Sequence, residues 1–134
     1  MDTLAHFIGS NLSDIELLKD ELFRSEFTAA ITQNALHHIE SVDGAVSVFM
    51  HYDPALLCKT DGFFYIKDNA EGGFHSRPIT DLSAMQENEL QQTIWWYTPT
   101  ASGSASWVEA YYDKNIDYVC FTNNRNIKSN MIKL

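Results

Sequence analysis

The stretch that decides the fold reads Asp43-Gly44-Ala45-Val46-Ser47-Val48-Phe49-Met50-His51-Tyr52-Asp53-Pro54. Its middle part, Ala45–His51, is rich in the β-branched and aromatic residues that favour strands. Asp43-Gly44 is expected to end a preceding helix. Pro54 is expected to stop the strand, because proline has no amide hydrogen to donate to a sheet ladder. The stretch therefore predicts a change from helix to strand near residue 44.

The residues before this stretch predict one long amphipathic helix. Ser13 and Glu16 stand three residues apart, as in a capping box, and Asp14 suits the positive end of a helix. The helix is expected to span residues 13–40, after a lead-in at 1–12, with Arg24–Ser25 as the place where it could break. Apolar residues recur at helical spacing at Ile15, Leu18, Leu22, Phe23, Phe27, Ala30, Ile31, Ala35 and Ile39.

The residues after the stretch predict further strands and one short helix. The strands are expected at Gly62–Lys67, Phe74–Arg77, Trp107–Tyr112 and Tyr118–Thr122, and the helix at Glu87–Trp96. No strand alternates with a full crossover helix. We therefore expect an α+β domain in which the long N-terminal helix packs on a PAS-like antiparallel sheet, and not a parallel doubly wound sheet.

Length and charge limit the classes of protein and partner. A chain of 134 residues forms one domain, with the sheet and a pocket expected at residues 44–122 and an atypical tail at 123–134. The formal net charge is −9 and the nine basic residues are scattered, apart from Arg125, Lys128 and Lys133. Nucleic acids and anionic membranes bind clustered Lys and Arg. We therefore expect neither as a partner.

Two further features bear on where the chain resides. Cys58 and Cys120 lie in neither a CxxC nor a zinc-ligand spacing; we expect unpaired thiols, although a disulfide between them is the alternative. No apolar run reaches the ~20 residues of a membrane span, and Met1–Leu12 does not read as a signal peptide. As given, the chain is expected to be soluble; as part of a membrane receptor, it would be extracytoplasmic.

The motifs of common enzymes are absent from the sequence. It contains no G-x-S-x-G elbow, no P-loop and no G-x-G-x-x-G. His37 and His38 are adjacent on the predicted helix and point about 100° apart, so they cannot both ligate one metal ion. A small hydrolase or isomerase remains the weakest interpretation, because no nucleophile and base are paired. We expect no catalytic residues, no metal and no cofactor.

Aromatic residues are concentrated between Trp95 and Asp113. Three Trp and three Tyr fall within this segment, and such a density either fills a core or lines a pocket for a small organic ligand. His51 shares a strand face with Ser47 and Phe49; it is a candidate pocket residue or a structural histidine. Asp113 could hold an ammonium group beside the aromatic rings or cap the turn that follows.

An ordered series of segments resembles the ligand-binding lobe of Cache domains. The series consists of Ser47–Pro54, Thr60–Tyr65, Thr80–Ser83, Trp95–Pro99 and Trp107–Asp113, and the resemblance covers about residues 13–119. Cache domains are PAS-like extracytoplasmic sensors of bacterial chemoreceptors, sensor histidine kinases and diguanylate cyclases. The resemblance implies a long helix beside the sheet and a ligand held between the sheet and the Trp-bearing segment.

The resemblance also implies which residues bind the ligand. Trp95 and Trp96 match the Trp-Tyr pair of the family, and Asp113 lies near an acidic ligand contact. His51 stands at a strand end where relatives carry Arg. The residues that the resemblance and the strand pattern together assign to ligand binding are Phe49, His51, Tyr65, Trp95, Trp96, Tyr97, Trp107, Tyr111 and Asp113.

One departure from the family concerns the ligand. The Arg that grips a ligand carboxylate two residues before the Trp pair is replaced by Thr93, so amino-acid specificity does not follow from the resemblance. The expected ligand is an amine, an amino acid or a small carboxylate. We expect a ligand-sensing domain of a bacterial receptor, or a stand-alone remnant of one. The alternative is a non-catalytic structural module that forms a homodimer through the long helix, with the aromatic segment as core.

Overall fold

Helices form the first part of the molecule and antiparallel strands the rest. The computed structural model describes the backbone of residues 2–68, 70, 72–83, 94–96, 106–113, 118–124, 126–127 and 132–133. The fold is α+β: helices are followed by a small antiparallel sheet whose three main strands are consecutive. The elements are α1 (Asp2–Asn11), a 3-10 helix (Ile15–Lys19), α2 (Glu21–Glu40), β1 (Ser47–Tyr52), α3 (Pro54–Leu57), β2 (Gly62–Lys67), β3 (Phe74–Ser76), β4 (Ser106–Asp113), β5 (Tyr118–Asn124), β6 (Asn126–Ile127) and β7 (Ile132–Lys133).

The helical region differs from the single helix predicted over residues 13–40. The Asp14 carboxylate accepts the Glu16 amide at 3.0 Å and caps the 3-10 helix. Asp20, in an extended conformation, accepts the Phe23 amide at 2.8 Å and caps α2. Two caps so close together divide the segment, because each one satisfies the free amides of its own helix start. The long helix therefore begins at Glu21, and the lead-in is itself helical, as α1.

The change from helix to strand occurs where the sequence predicts it. Helix α2 ends at Glu40, and the Ser41 amide donates to the carbonyls of His38 and Ile39. Gly44 has a φ of 78°, which costs glycine little because it has no Cβ. Strand β1 ends at Tyr52. Pro54 then opens α3, where a missing amide hydrogen does no harm.

The main sheet has the strand order β3-β2-β1-β7-β6. Val48 of β1 lies opposite Tyr65 of β2, and Phe49 lies opposite Phe64. Strand β7, from the tail predicted to be atypical, pairs with the other edge of β1, with His51 opposite Lys133. Strands β4 and β5 form a separate antiparallel pair.

One face of the sheet carries the main hydrophobic core. Met50 and Tyr52 of β1 and Phe63 of β2 pack there against the helices. The helical residues buried with them are Ile8, Leu12, Leu18, Phe27, Ile31 and Ala35. Each buried apolar side chain contributes about 1.5–3 kcal/mol relative to its exposed state. Because strand side chains alternate, this arrangement leaves Phe49 and His51 on the opposite face.

No helix in the part of the chain that the structure describes is both long enough and apolar enough to cross a membrane.

Candidate functional site

Four aromatic side chains meet on the face of the sheet that the helices do not cover. Phe49 and His51 point from β1 toward this face, and a helical turn at residues 94–96 places Trp95 and Trp96 beside them. The centre of the Trp95 ring lies 5.0 Å from the centre of the Phe49 ring and 5.1 Å from that of His51. The centre of the Trp96 ring lies 6.0 Å from that of His51. We call these four residues the aromatic cluster.

The aromatic cluster is largely shielded from solvent. Trp95 and Trp96 are each 7% exposed and His51 is 2% exposed. Val108 of β4 is buried against the two tryptophans, and Leu82 and Ile94 pack around them. Several ring pairs meet edge to face, which directs the positive edge of one ring at the negative face of the next. Together with Val108, these packed rings form a second buried cluster, on the face of the sheet opposite the helices.

The register of the sheet separates Tyr65 from the aromatic cluster. Tyr65 lies opposite Val48, and Val48 packs against the helix-side core. The centre of the Tyr65 ring is 6.2 Å from the centre of the Phe63 ring, on the helix side of the sheet. The structure therefore places one of the nine expected ligand-binding residues on the other face.

Trp107 of β4, one of the nine expected ligand-binding residues, is exposed and is not part of the aromatic cluster. Trp107 is 69% exposed and Tyr112 is 60% exposed, whereas Val108 is 2% exposed. An irregularity between Val108 and Tyr111 adds a residue to β4 relative to β5, so an odd-numbered and an even-numbered residue both face solvent.

Tyr111 and Asp113 lie in β4, where their backbones pair with Cys120 and Tyr118. Tyr97, and Thr93 at the position of the missing Arg, lie outside the described residues.

A concave surface that the sequence did not indicate lies between α2 and the segment that leads into β2. This groove has a volume of about 720 Å³. It is lined by Glu21, Arg24, Ser25, Thr28, Ala29, Thr32, Gln33, Leu36, Lys59, Thr60, Asp61 and Tyr65.

An ion pair between Arg24 and Asp61 forms part of the groove wall. Arg24 is 5% exposed; its Nε donates to Asp61 Oδ2 at 2.7 Å and its Nη1 donates to the Leu18 carbonyl at 2.7 Å. Position 24 belongs to the buried stripe of α2 that continues at Phe27 and Ile31. A basic residue in an apolar stripe needs a charged or hydrogen-bonding partner. The position of Arg24 in this stripe was therefore the sequence signal for an acidic partner.

Tyr52 and Thr28 extend this polar network into the core. The Thr28 hydroxyl donates to the Arg24 carbonyl at 2.7 Å and lies 2.9 Å from the Tyr52 hydroxyl. Because the single hydroxyl proton of Thr28 is directed at the carbonyl, Tyr52 is the donor in the second bond. Burial raises the pKa of Tyr52 to about 12, and the nearby Asp61 carboxylate acts in the same direction.

Metal ligation finds no support among the residues that the structure describes, where no group of three or more His, Cys, Asp or Glu side chains could hold an ion. Cys58 is an exposed free thiol that ends α3 in a left-handed conformation, with φ of 54°.

Comparison with known proteins gives no relative for this chain. No protein-family model matches it, and neither a curated protein nor a solved structure does.

Proposed function

We propose that the chain is the small-molecule-sensing lobe of a bacterial signal-transduction receptor, or a stand-alone remnant of one. The observation that carries this proposal is the aromatic cluster, in which Phe49, His51, Trp95 and Trp96 meet on the sheet face opposite the helices. A Trp pair at the sheet is what the resemblance to Cache domains leads us to expect. As part of a membrane receptor, the lobe would be extracytoplasmic.

The packing of the helices supports a PAS-like arrangement. Phe27, Ile31 and Ala35 of α2 belong to the same buried cluster as Met50 and Tyr52 of β1. A helix on one face of an antiparallel sheet leaves the other face for a ligand and its covering segment. In this arrangement the sheet lies between the binding site and the helix that would transmit the signal.

The chemistry of the aromatic cluster favours a small organic amine. Indole rings attract a cation to their faces, and the rings exclude water from it. The Asp113 carboxylate at the end of β4 is the expected partner of the ammonium group. An amino acid or a small carboxylate is the less favoured ligand, because Thr93 replaces the Arg that would bind a carboxylate. The site has no catalytic role in this proposal.

A thermal-shift screen of amines, amino acids and small carboxylates tests the proposal. A compound at 100 times its dissociation constant should add about 2.7 kcal/mol to the free energy of unfolding. Trp96→Ala should abolish the shift. Trp107→Ala is the matched control, because that indole is 69% exposed and its loss should leave the shift in place.

Two results would contradict the sensing proposal. One is the absence of any shift across the panel for a protein that melts cooperatively. The other is an equal loss of the shift in both Trp variants, which would separate binding from the aromatic cluster.

A homodimerisation module is the second candidate function, and one observation favours it. Leu22, at the start of α2, is 69% exposed, and the nearby Leu17 is 40% exposed. Pairing of α2 with the same helix of a second chain would remove the Leu22 side chain from water. Sedimentation analysis of the wild type and of Leu22→Asp decides this point: a dimer that Leu22→Asp dissociates supports pairing through α2, and a monomeric wild type refutes it.

A further inference from the structure

Three consecutive residues between α3 and β2 each contact a different part of the molecule. They are Thr60, Asp61 and Gly62, and we call them the link segment. Thr60 contacts the loop that follows β3, Asp61 contacts helix α2, and Gly62 lies opposite His51 in β1. The segment thus stands between the aromatic cluster and the helix.

The first contact joins the link segment to the turn at Asp81–Ser83, which carries Leu82. The Thr60 hydroxyl donates to Asp81 Oδ1 at 2.6 Å. The same carboxylate oxygen accepts the Ser83 amide at 3.0 Å and the Ser83 hydroxyl at 2.6 Å. Leu82, enclosed by this turn, packs against the buried group that Trp95 and Trp96 form with Val108. A displacement of the turn therefore moves the hydrogen-bond partner of Thr60.

The second contact joins the link segment to α2. Asp61 Oδ2 accepts from Arg24 Nε at 2.7 Å, Oδ1 accepts the Gly62 amide at 2.8 Å, and the Asp61 carbonyl accepts the Tyr52 amide at 3.0 Å. Arg24 is buried, so separating it from its carboxylate is costly. Lys59 Nζ stands 3.9 Å from the same Oδ2 and offers Asp61 a second, exposed partner.

The third contact leaves the segment little freedom to move alone. Gly62 has a φ of 145°, and a Cβ at this position would lie 2.0 Å from the Met50 carbonyl oxygen. The backbone of Gly62 is thus pressed against β1 at Met50 and His51. Met50 faces the core under the helices, and His51 belongs to the aromatic cluster.

We propose that the link segment couples the aromatic cluster to helix α2. A change in the packing of the Trp pair shifts the turn at Asp81–Ser83, and Thr60 moves with this turn. Asp61 then exchanges part of its contact with Arg24 for a contact with Lys59, and the start of α2, which carries Arg24, changes position. A ligand can bias this exchange only by binding the two arrangements differently. The coupling deepens the proposed sensing function and rests on it for the event that perturbs the cluster.

A double-mutant cycle tests the coupling without any ligand. Trp95→Leu perturbs the aromatic cluster, and amide hydrogen exchange of Glu21–Glu40 reports on α2. We expect Trp95→Leu to change the exchange rates at the start of α2 by about 5-fold, the lower end of typical allosteric effects. In a Thr60→Val background, where the bond to Asp81 is absent, the same substitution should leave these rates nearly unchanged.

The reverse direction of the coupling supplies the second measurement, because coupling between sites is reciprocal. Trp107→Phe leaves Trp95 and Trp96 as the remaining tryptophans of the chain. In that background, Arg24→Lys keeps the charge and loses the two-point contact with Asp61 and Leu18; it should shift the tryptophan emission. Asp53→Asn, which alters an exposed helix cap near the link segment, is the matched control and should not.

The outcomes separate the coupling from the sensing function. If Trp95→Leu affects α2 equally with and without the Thr60 hydroxyl, or has no effect on α2, the coupling proposal is overturned, whatever the ligand screen finds. If the cycle shows coupling and the ligand screen finds no binder, the sensing function fails and the link between the two regions stands.

Discussion

At the residue scale, Gly62 and Tyr52 show how closely β1 packs against the segments around it. Gly62 lies opposite His51 and against the Met50 carbonyl. Tyr52 is fully buried with its hydroxyl bonded to Thr28. Each residue has a property that sequence pattern alone does not reveal: a close approach of two backbones for one, and a shifted pKa for the other.

Replacing Gly62 with alanine should be strongly destabilising. The added Cβ would lie 2.0 Å from the Met50 carbonyl oxygen at a φ of 145°, so β1 and β2 must separate locally. We expect a loss of about 3 kcal/mol or more in the free energy of unfolding, measured in urea. Gly9→Ala is the control: Gly9 lies in α1 with no atom near its Cβ position, and alanine should stabilise the helix by about 0.5–1 kcal/mol. Equal effects of the two substitutions would contradict this account of Gly62.

The raised pKa of Tyr52 predicts a loss of stability at alkaline pH. Burial raises the pKa of Tyr52 in the folded protein from its ordinary value of 10.0 to about 12, so the folded protein holds the hydroxyl proton more tightly than the unfolded chain does. The stabilisation is present in full below pH 10 and is lost as the pH rises toward 12. The difference corresponds to about 3 kcal/mol. Absorbance titration of the six tyrosines should show a late component that disappears in Tyr52→Phe; an unchanged titration would refute the assignment.

At the element scale, the helices show what the sequence can and cannot establish. The existence of the long helix and its end before Gly44 follow from apolar spacing and from Asp43-Gly44. Its start does not, because Ser13 and Asp14 suit a helix start as well as Asp20 does; in the structure Asp14 caps the 3-10 helix and Asp20 caps α2. Local capping preference therefore does not identify which of these residues begins the long helix.

Substitutions at the competing caps test this assignment. Asp20→Ala removes the acceptor of the Phe23 amide and should lower the free energy of unfolding by about 1 kcal/mol. Ser13→Ala should have an effect below about 0.5 kcal/mol, as for other surface positions. Thermal melts of both variants are the measurement. A larger loss in Ser13→Ala would favour the single helix predicted over residues 13–40.

The strands carry a similar lesson for the candidate site. Alternation within β1 predicts that Phe49 and His51 share a face, and in the structure they do. Alternation within β2 cannot say which of its faces meets which face of β1, because that depends on the connection through α3. Tyr65 therefore lies on the helix side, a placement that its sequence position does not reveal. The groove beside it was missed for the same reason, since its walls come from segments distant in sequence.

At the scale of the whole molecule, the sheet separates two environments. One face supports the helical core with its Arg24–Asp61 pair, and the other supports the aromatic cluster. An α+β class was predictable from the order of segments. The strand order was not, because β7 pairs beside β1 from a tail that has no clear strand pattern.

Removing the tail should expose one edge of β1. Strand β7 pairs with His51 and Tyr52, and its deletion, by ending the chain after Ile127, leaves that edge without its partner strand. An unpaired edge is a template for association with a second chain. We expect concentration-dependent association by light scattering. Lys133→Ala keeps the backbone pairing, and its association should not differ from that of the wild type. Equal association of the truncated chain and of Lys133→Ala would instead attribute the effect to the lost charge.

The pairing of β1 with β7 also sets a time order for folding. The strands β1, β2 and β3 are close in sequence, and their ladder can form early. His51 and Lys133, by contrast, are about 80 residues apart, so their contact closes a long loop. Strand β1 can therefore form its ladder with β2 before the edge that pairs with β7 is covered.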